Sequence, residues 1–96
     1  MSDFNDLQKV PRQMDWDYVT WIKGLPCLVT GRHHPDPHHL SSRGAFGSDY
    51  SCVPLKRFLH VEIEKIGIKE FEAKYKCNLW HDAWNLLRKY FTEVKR

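Results

Sequence analysis

The stretch PCLVTGRHHPDPHHL, residues 26–40, joins a short apolar run to four of the six histidines of the chain. The run PCLVTG (26–31), closed by a glycine, predicts the first strand of a hairpin. Residues 33–37 then form the connection, and residues 38–40 predict the second strand. Because a hairpin that packs on a neighbouring element brings its side chains close to that element, we expect this segment to position functional histidines as well as part of the fold.

A loop rich in glycine and serine, SSRGAFGSDYS (41–51), separates the hairpin from a region of helical spacing. From Pro54 to Gly67, apolar residues recur at intervals of three and four, which predicts a helix beginning near the proline. Two further helices are predicted over residues 69–76 and 79–94. The last helix carries a stripe of large apolar residues that we interpret as core: Trp80, Trp84, Leu87, Phe91 and Val94.

A short helix is also predicted before the hairpin, capped by Asp15 or Asp17 and ended at Gly24. Residues 1–13 are polar, contain a proline and show no clear period, so we predict an N-terminal arm there. Residues 14–96 are then expected to form a single domain. Its several helices and two short strands define an α+β fold class.

The bulk composition limits the class of protein. The 96 residues suffice for one modest core, and 42% hydrophobic with 28% charged residues is typical of a folded protein. No apolar run approaches the roughly 18 residues of a membrane span, and the N-terminus lacks the apolar segment of a signal peptide. Three widely spaced cysteines without a CxxC pair favour reduced thiols. We therefore expect a cytoplasmic protein without a membrane-bound part.

A histidine and a glutamate on the predicted central helix, His60 and Glu64, stand four residues apart and project from one face. Such a pair can bind one metal ion, although it is more often a solvated surface. The second strand offers a third ligand, His38 or His39, and the other histidine can then accept a proton from water. Two imidazoles and one carboxylate with open coordination positions favour a catalytic site.

Several segments in a fixed order resemble the HNH, or ββα-metal, nucleases, and particularly their small phage-type branch. They are WIKGLPCLVTG (21–31), DPHHL (36–40), SDYSCVPLK (48–56) and HVEIE (60–64). The resemblance continues weakly through residues 70–75. It implies a small ββα-metal core with flanking helices, and a metal-dependent endonuclease that hydrolyses phosphodiester bonds in DNA.

The resemblance also implies a role for each matching residue. His38 falls on a metal ligand and His39 on the general base, while the remaining ligands fall on His60 and Glu64. Asp49 falls on the residue that orients the base, and an aspartate can accept a hydrogen bond from an imidazole N–H. The implied mechanism uses one divalent metal ion and a neutral histidine that deprotonates water.

The chain departs from the family pattern in its metal-binding residues. Where many relatives carry a zinc knuckle, it has Cys27 alone, with Thr30 and Lys56 at further thiol positions, so we expect no structural zinc. Glu64 replaces a commoner histidine, which shifts the expected ion toward magnesium or manganese without excluding zinc. Four basic residues flank the expected site and are candidates for contacts to DNA phosphates: Arg32, Arg43, Lys56 and Arg57.

Other interpretations stay open. His33 and His34 are typical of a solvated turn, and Asp36 either sets a turn or ligates metal in place of His38. One functional alternative is a non-catalytic nucleic-acid-binding module of phage or prophage origin. Another is a partner-binding helical domain that uses the tryptophan-rich C-terminal helix. A phage-encoded chain would act in the cytoplasm of its bacterial host, and its oligomeric state is not predicted.

Overall fold

The structure is a computed structural model that describes residues 14–41 and 47–95. The described residues form a small α+β fold, as the sequence predicts, with an antiparallel two-stranded hairpin and four α-helices. The predicted arm, residues 1–13, lies outside the described residues. In chain order the elements are α1 (Trp16–Lys23), β1 (Asp36–His39), a 3₁₀ turn (Asp49–Ser51), β2 (Cys52–Leu55), α2 (Arg57–Ile66), α3 (Ile68–Tyr75), α4 (Leu79–Lys89) and a π-helical turn (Tyr90–Val94).

The hairpin pairs β1 with β2 in a register that sets two prolines opposite each other, Pro37 and Pro54. In an antiparallel ladder, residue pairs alternate between those that exchange hydrogen bonds and those whose N–H groups point outward. A proline pair fits the second kind because neither residue has an N–H to lose. The outward carbonyl of Pro54 accepts a hydrogen bond from the N–H of Leu28 at 3.0 Å.

The first predicted strand is wrong, because residues 26–31 form a turn instead. The N–H of Cys27 donates to the Arg32 carbonyl at 2.8 Å, which closes the segment on itself, and Gly31 takes a positive φ of 72°. The partner of β1 is instead β2. Pro54, predicted to start a helix, lies inside that strand, and α2 begins three residues later at Arg57.

The helix ends follow the capping chemistry of the sequence. Asp15 is the N-cap of α1, where its carboxylate accepts the Tyr18 N–H at 3.0 Å, and Gly24 ends that helix. Gly67 separates α2 from α3 with a φ of 85°, a conformation that favours glycine. Asn78 caps α4 by accepting the N–H of His81.

The core consists of two buried clusters on either side of β2, all four residues of which are buried. One cluster joins Val53 and Leu55 to the inner faces of α2, α3 and α4. The other surrounds Cys52 with α1 residues and Tyr90. A strand buried on both faces fixes α1 and α2 relative to the hairpin, and these elements carry the site.

The apolar stripe predicted as core on the last helix is wrong for four of its five residues, while Leu87 is partly buried against the cluster around α1. Trp80 and Trp84 are 50% and 57% exposed, and Phe91 and Val94 are also exposed. The buried face of α4 holds Leu79 and Ala83. Both stripes have helical spacing and lie one residue apart, so periodicity alone cannot choose between them, and the smaller side chains allow the closer approach to β2.

Among residues 14–41 and 47–95, the helices are all too short or too polar to cross a lipid bilayer.

Candidate functional site

A cleft of about 540 Å³ opens between α1, β1, the 3₁₀ turn and α2. His39 and Asp49 line one part of it, and Asp36, Arg57 and His60 line another. The last three also line an adjoining cleft of about 330 Å³ that reaches the second acidic residue of α2, which is Glu64. The hairpin and α2 therefore bring together residues that lie far apart in the sequence.

The pair at the inner part of the cleft is His39 and Asp49. His39 Nε2 and Asp49 Oδ1 are 2.8 Å apart, and their side chains are only 12% and 7% exposed. Because an ionised carboxylate can only accept, Nε2 carries the hydrogen, and a neutral ring then has its lone pair on Nδ1. Within the described part of the chain, Nδ1 is buried and makes no hydrogen bond. This tautomer leaves the kind of acceptor nitrogen that a general base requires.

Asp49 is held from a second side by the start of α1. Its Oδ2 accepts the backbone N–H of Asp15 at 2.8 Å, and the Asp15 carboxylate accepts the Tyr50 hydroxyl at 2.7 Å. Hydrogen bonds from the Tyr18 N–H and then from Tyr50 hold the pKa of Asp15 below its usual value. The same hydrogen bond to Asp15 raises the pKa of Tyr50 to about 12. At neutral pH, Asp15 is therefore charged and Tyr50 is neutral.

The residues on and beside α2 form a second group. His60 Nε2 and Glu64 Oε1 are 2.9 Å apart, and the His38 ring meets the His60 ring edge to face with 4.4 Å between centroids. Asp36 Oδ2 lies 3.8 Å from His60 Nδ1 and accepts a hydrogen bond from Arg57 Nε at 2.9 Å. The three ligands implied by the resemblance are therefore neighbours, and Asp36 lies next to them.

A possible metal-ligand group also exists elsewhere. Of the residues that the structure describes, one set of three offers donor atoms that all lie within 4.8 Å of one another: His39, Asp49 and Cys52. The Cys52 side chain is fully buried in the cluster around α1. His38, His60 and Glu64 do not reach that mutual separation, so an ion binding there would draw them together.

The predicted phosphate-binding cations differ in their surroundings. Arg57 lines the cleft with a side chain that is 82% exposed. Lys56 Nζ donates to both carbonyl oxygens of the turn at residues 33–34, at 3.0 and 3.4 Å, and thereby holds that exposed turn beside α2. Arg32 is exposed and does not line the cleft in the described part of the chain. Arg43 lies outside the described residues.

The sequence analysis did not predict that α1 forms one wall of the cleft. Trp16 and Lys23 line the cleft, and the backbone of Asp15 holds Asp49. Trp16 is one of the large apolar residues of α1, yet its side chain is 75% exposed. A helical projection contains the missing signal, because Tyr18 and Ile22 share one face while Trp16 and Lys23 share another.

Comparison with known proteins identifies a relative of the chain but no solved structure. The chain is 34% identical over 79 residues to the uncharacterized protein YdfU of Escherichia coli (strain K12). The aligned region covers 74% of this chain and 22% of that protein, so the chain spans about a fifth of the relative's length. No solved structure matches it significantly. The family described as "Protein of unknown function (DUF968)" matches residues 4–88, and the chain therefore belongs to the DUF968 family.

Proposed function

We propose that this chain is a metal-dependent, HNH-type endonuclease that hydrolyses phosphodiester bonds in DNA. The observation that carries the proposal is the hydrogen-bonded pair of His39 and Asp49, in a cleft that His60 also lines. The order of elements adds support, since two antiparallel strands followed at once by a helix match the ββα-metal core that the sequence resemblance implies.

The base in this proposal is His39. With Nε2 bound to Asp49, Nδ1 is the nitrogen that takes a proton from the attacking water, and Asp49 stabilises the charge that develops on the ring. Nδ1 is buried in the structure, so the proposal requires the side chains around it to move before a water from the neighbouring cleft can reach it. General base catalysis of this kind contributes on the order of 10²- to 10⁴-fold in rate.

The ligands in this proposal are His38, His60 and Glu64. Two neighbouring ligand atoms of an octahedral ion such as Mg²⁺, with bonds of about 2.1 Å, lie roughly 3 Å apart. The 2.9 Å between His60 Nε2 and Glu64 Oε1 fits that requirement, and the His38 ring is in contact with His60. A magnesium, manganese or zinc ion held there would supply positive charge for the phosphate in the transition state.

These ligands are preferred over the group that contains Cys52 for a physical reason. In that group, His39 and Asp49 already bond to each other, and the thiol is fully buried in an aromatic and aliphatic cluster. An ion there would disrupt the pair and require a charge in the core. His60 and Glu64 form a more exposed pair beside an open cleft, where an ion can replace the shared proton.

A plasmid-cleavage assay tests the proposal. The wild-type protein with Mg²⁺, Mn²⁺ or Zn²⁺ is expected to nick or cut plasmid DNA, and His39→Ala is expected to lose about 10²- to 10⁴-fold in rate. His81→Ala is the matched control, because His81 is an exposed histidine on α4. Absence of cutting under every ion, or equal cutting by wild type and His39→Ala, would overturn the proposal.

The main alternative is a non-catalytic nucleic-acid-binding module. It is favoured by the two cations that line the cleft, Lys23 and Arg57, because such residues bind phosphate whether or not a bond is broken. Its signature is DNA binding that weakens steeply with salt, without cleavage and with little effect of His39→Ala.

A partner-binding role for the last helix is a further candidate. Burial of Trp80 and Trp84 would have counted against it, but both side chains are about half exposed. Loss of a specific protein complex in Trp80→Ala, with DNA cleavage unchanged, would support that additional role.

A further inference from the structure

The cleft has an aromatic wall that the proposed chemistry leaves unused. Trp16, Val19 and Lys23 follow one another at spacings of three and four on α1, so they share one helix face, and all three line the cleft. Val19 is also buried in the core cluster around α1, whereas Tyr18 and Ile22 lie on a different face. Trp16 is 75% exposed, so most of its ring surface is available to a ligand.

The charges around Trp16 favour a particular ligand chemistry. Lys23 Nζ lies 5.7 Å from the centre of the Trp16 ring, and no described carboxylate lies within ion-pair distance of Lys23. The exposed Arg57 side chain lines the same cleft, where its Nε donates to Asp36. An aromatic ring beside cations complements a ligand that combines a flat base with a phosphate.

A second exposed tryptophan, Trp84, shows that exposure alone does not indicate a nucleotide-binding site. Trp84 is 57% exposed and lines a groove of about 220 Å³ together with Trp80, Leu87 and small or polar residues. The described lining of that groove contains no charged residue. Nothing there complements a phosphate, whereas the cleft beside Trp16 contains both cations and the proposed catalytic pair.

We infer that Trp16 stacks on an unpaired nucleobase next to the phosphate that is cut, with Lys23 contacting the adjoining backbone. This inference rests on the proposed nuclease function and names its substrate class: DNA that is single-stranded or locally unpaired at the cut site. Bases inside a duplex already stack on their neighbours, so only an unpaired base can offer its face to Trp16. The cleft volume of about 540 Å³ lies in the range of sites that hold one small ligand.

Binding of fluorescein-labelled oligonucleotides tests the inference. Anisotropy is measured at fixed salt in EDTA, with a 20-nucleotide single strand and the matching blunt duplex as probes. Trp16→Ala should weaken single-strand binding roughly 10-fold, and Trp16→Tyr should restore most of it because a smaller ring still stacks. Duplex binding should change by less than about 2-fold in either variant.

Trp84→Ala is the matched control and should bind both probes as wild type does. A circular dichroism melt of each variant checks that the fold is kept. If Trp16→Ala binds the single strand as tightly as wild type, or loses both probes equally, the inference is wrong.

Cleavage of the same probes with Mn²⁺ separates this inference from the function on which it rests. If Trp16→Ala selectively loses single-strand binding and the wild type does not cut DNA, the proposed nuclease function is wrong but the stacking site is supported. If the wild type and Trp16→Ala cut single-stranded DNA equally well, the proposed nuclease function is supported but the stacking site is wrong. Cutting that prefers the single strand and falls with Trp16→Ala supports both.

Discussion

Two histidine–carboxylate pairs line or adjoin the cleft, and they share a short contact to Nε2 and a mostly buried histidine ring but differ in the exposure of their carboxylates. His39 and Asp49 approach to 2.8 Å, and His60 and Glu64 approach to 2.9 Å. The first pair is almost fully buried, whereas the Glu64 side chain is 64% exposed. A short N···O distance therefore says little about the function of such a pair, and the surroundings decide it.

The pairs also differ in what holds them. The inner pair, His39 and Asp49, joins β1 to the 3₁₀ turn, and the Asp15 N–H donates to the second carboxylate oxygen of Asp49. The outer pair, His60 and Glu64, spans one turn of a single helix, and its carboxylate is exposed, although the His60 ring packs against His38. A fixed pair suits the orientation of a base, and an exposed local pair suits the exchange of a proton for a metal ion.

The largest expected effect is on metal affinity at the outer pair. His60→Ala should weaken Mn²⁺ binding by at least about 100-fold, because it removes a proposed ligand. His39→Ala should bind Mn²⁺ like wild type. Isothermal titration calorimetry measures both, and the opposite pattern would move the ion to the group of His39, Asp49 and Cys52.

At the inner pair, Asp49→Asn should lower the rate of DNA cleavage about 10- to 100-fold. The amide keeps the shape of the side chain but no longer stabilises the charge on the His39 ring. Single-turnover kinetics with saturating Mn²⁺ give the rate, and calorimetry checks that metal affinity is retained. A parallel loss of metal affinity would contradict the orienting role of Asp49.

A smaller effect is expected when the outer pair changes its type of donor atom. Glu64→His replaces a carboxylate by an imidazole and should raise the ratio of Zn²⁺ to Mn²⁺ affinity by roughly 10-fold, because nitrogen donors suit zinc better. Glu64→Gln serves as the control for loss of charge alone. An unchanged ratio in Glu64→His would exclude this side chain as a ligand.

The smallest expected effect concerns the hydrogen bonds behind the inner pair. Tyr50→Phe removes the hydroxyl that Asp15 accepts and should lower the free energy of unfolding by about 1 kcal/mol. Urea denaturation measures this change. The rate of DNA cleavage should fall by no more than about 3-fold, since the Asp15 N–H still holds Asp49.

The same bonds give stability a pH dependence of known sign. Because the pKa of Asp15 is lowered in the folded protein, its contribution is present above the ordinary value of 3.8 and is lost as the pH falls below it. The difference in unfolding free energy between wild type and Asp15→Asn should therefore be larger at pH 7 than at pH 3. A constant difference would show that the charge of Asp15 contributes nothing.

Much of the helical framework was predictable because its signals are local. Asp15, Gly24 and Gly67 mark helix ends through side-chain capping or permissive backbone geometry, and the structure confirms these ends within a few residues. The helix predicted over residues 69–76 is likewise confirmed by α3, Ile68–Tyr75. Such features depend on chemistry within one turn of chain, which the sequence displays directly.

The strand pairing was less predictable because it depends on a partner far along the chain. Residues 26–31 have the composition of a strand, but no ladder forms there, and the partner of β1 contains Pro54. The buried face of α4 was similarly ambiguous, since Trp84 and Ala83 lie on adjacent stripes. Only packing against β2 distinguishes these alternatives.

The proline in β1 also affects the outer edge of the hairpin. On the outer edge of β1, one of the two outward-facing amide positions belongs to Pro37 and has no hydrogen to donate. Strand edges that lack donors are poor templates for the addition of foreign strands. The missing donor at Pro37 therefore makes this edge of β1 a weaker template for strand addition.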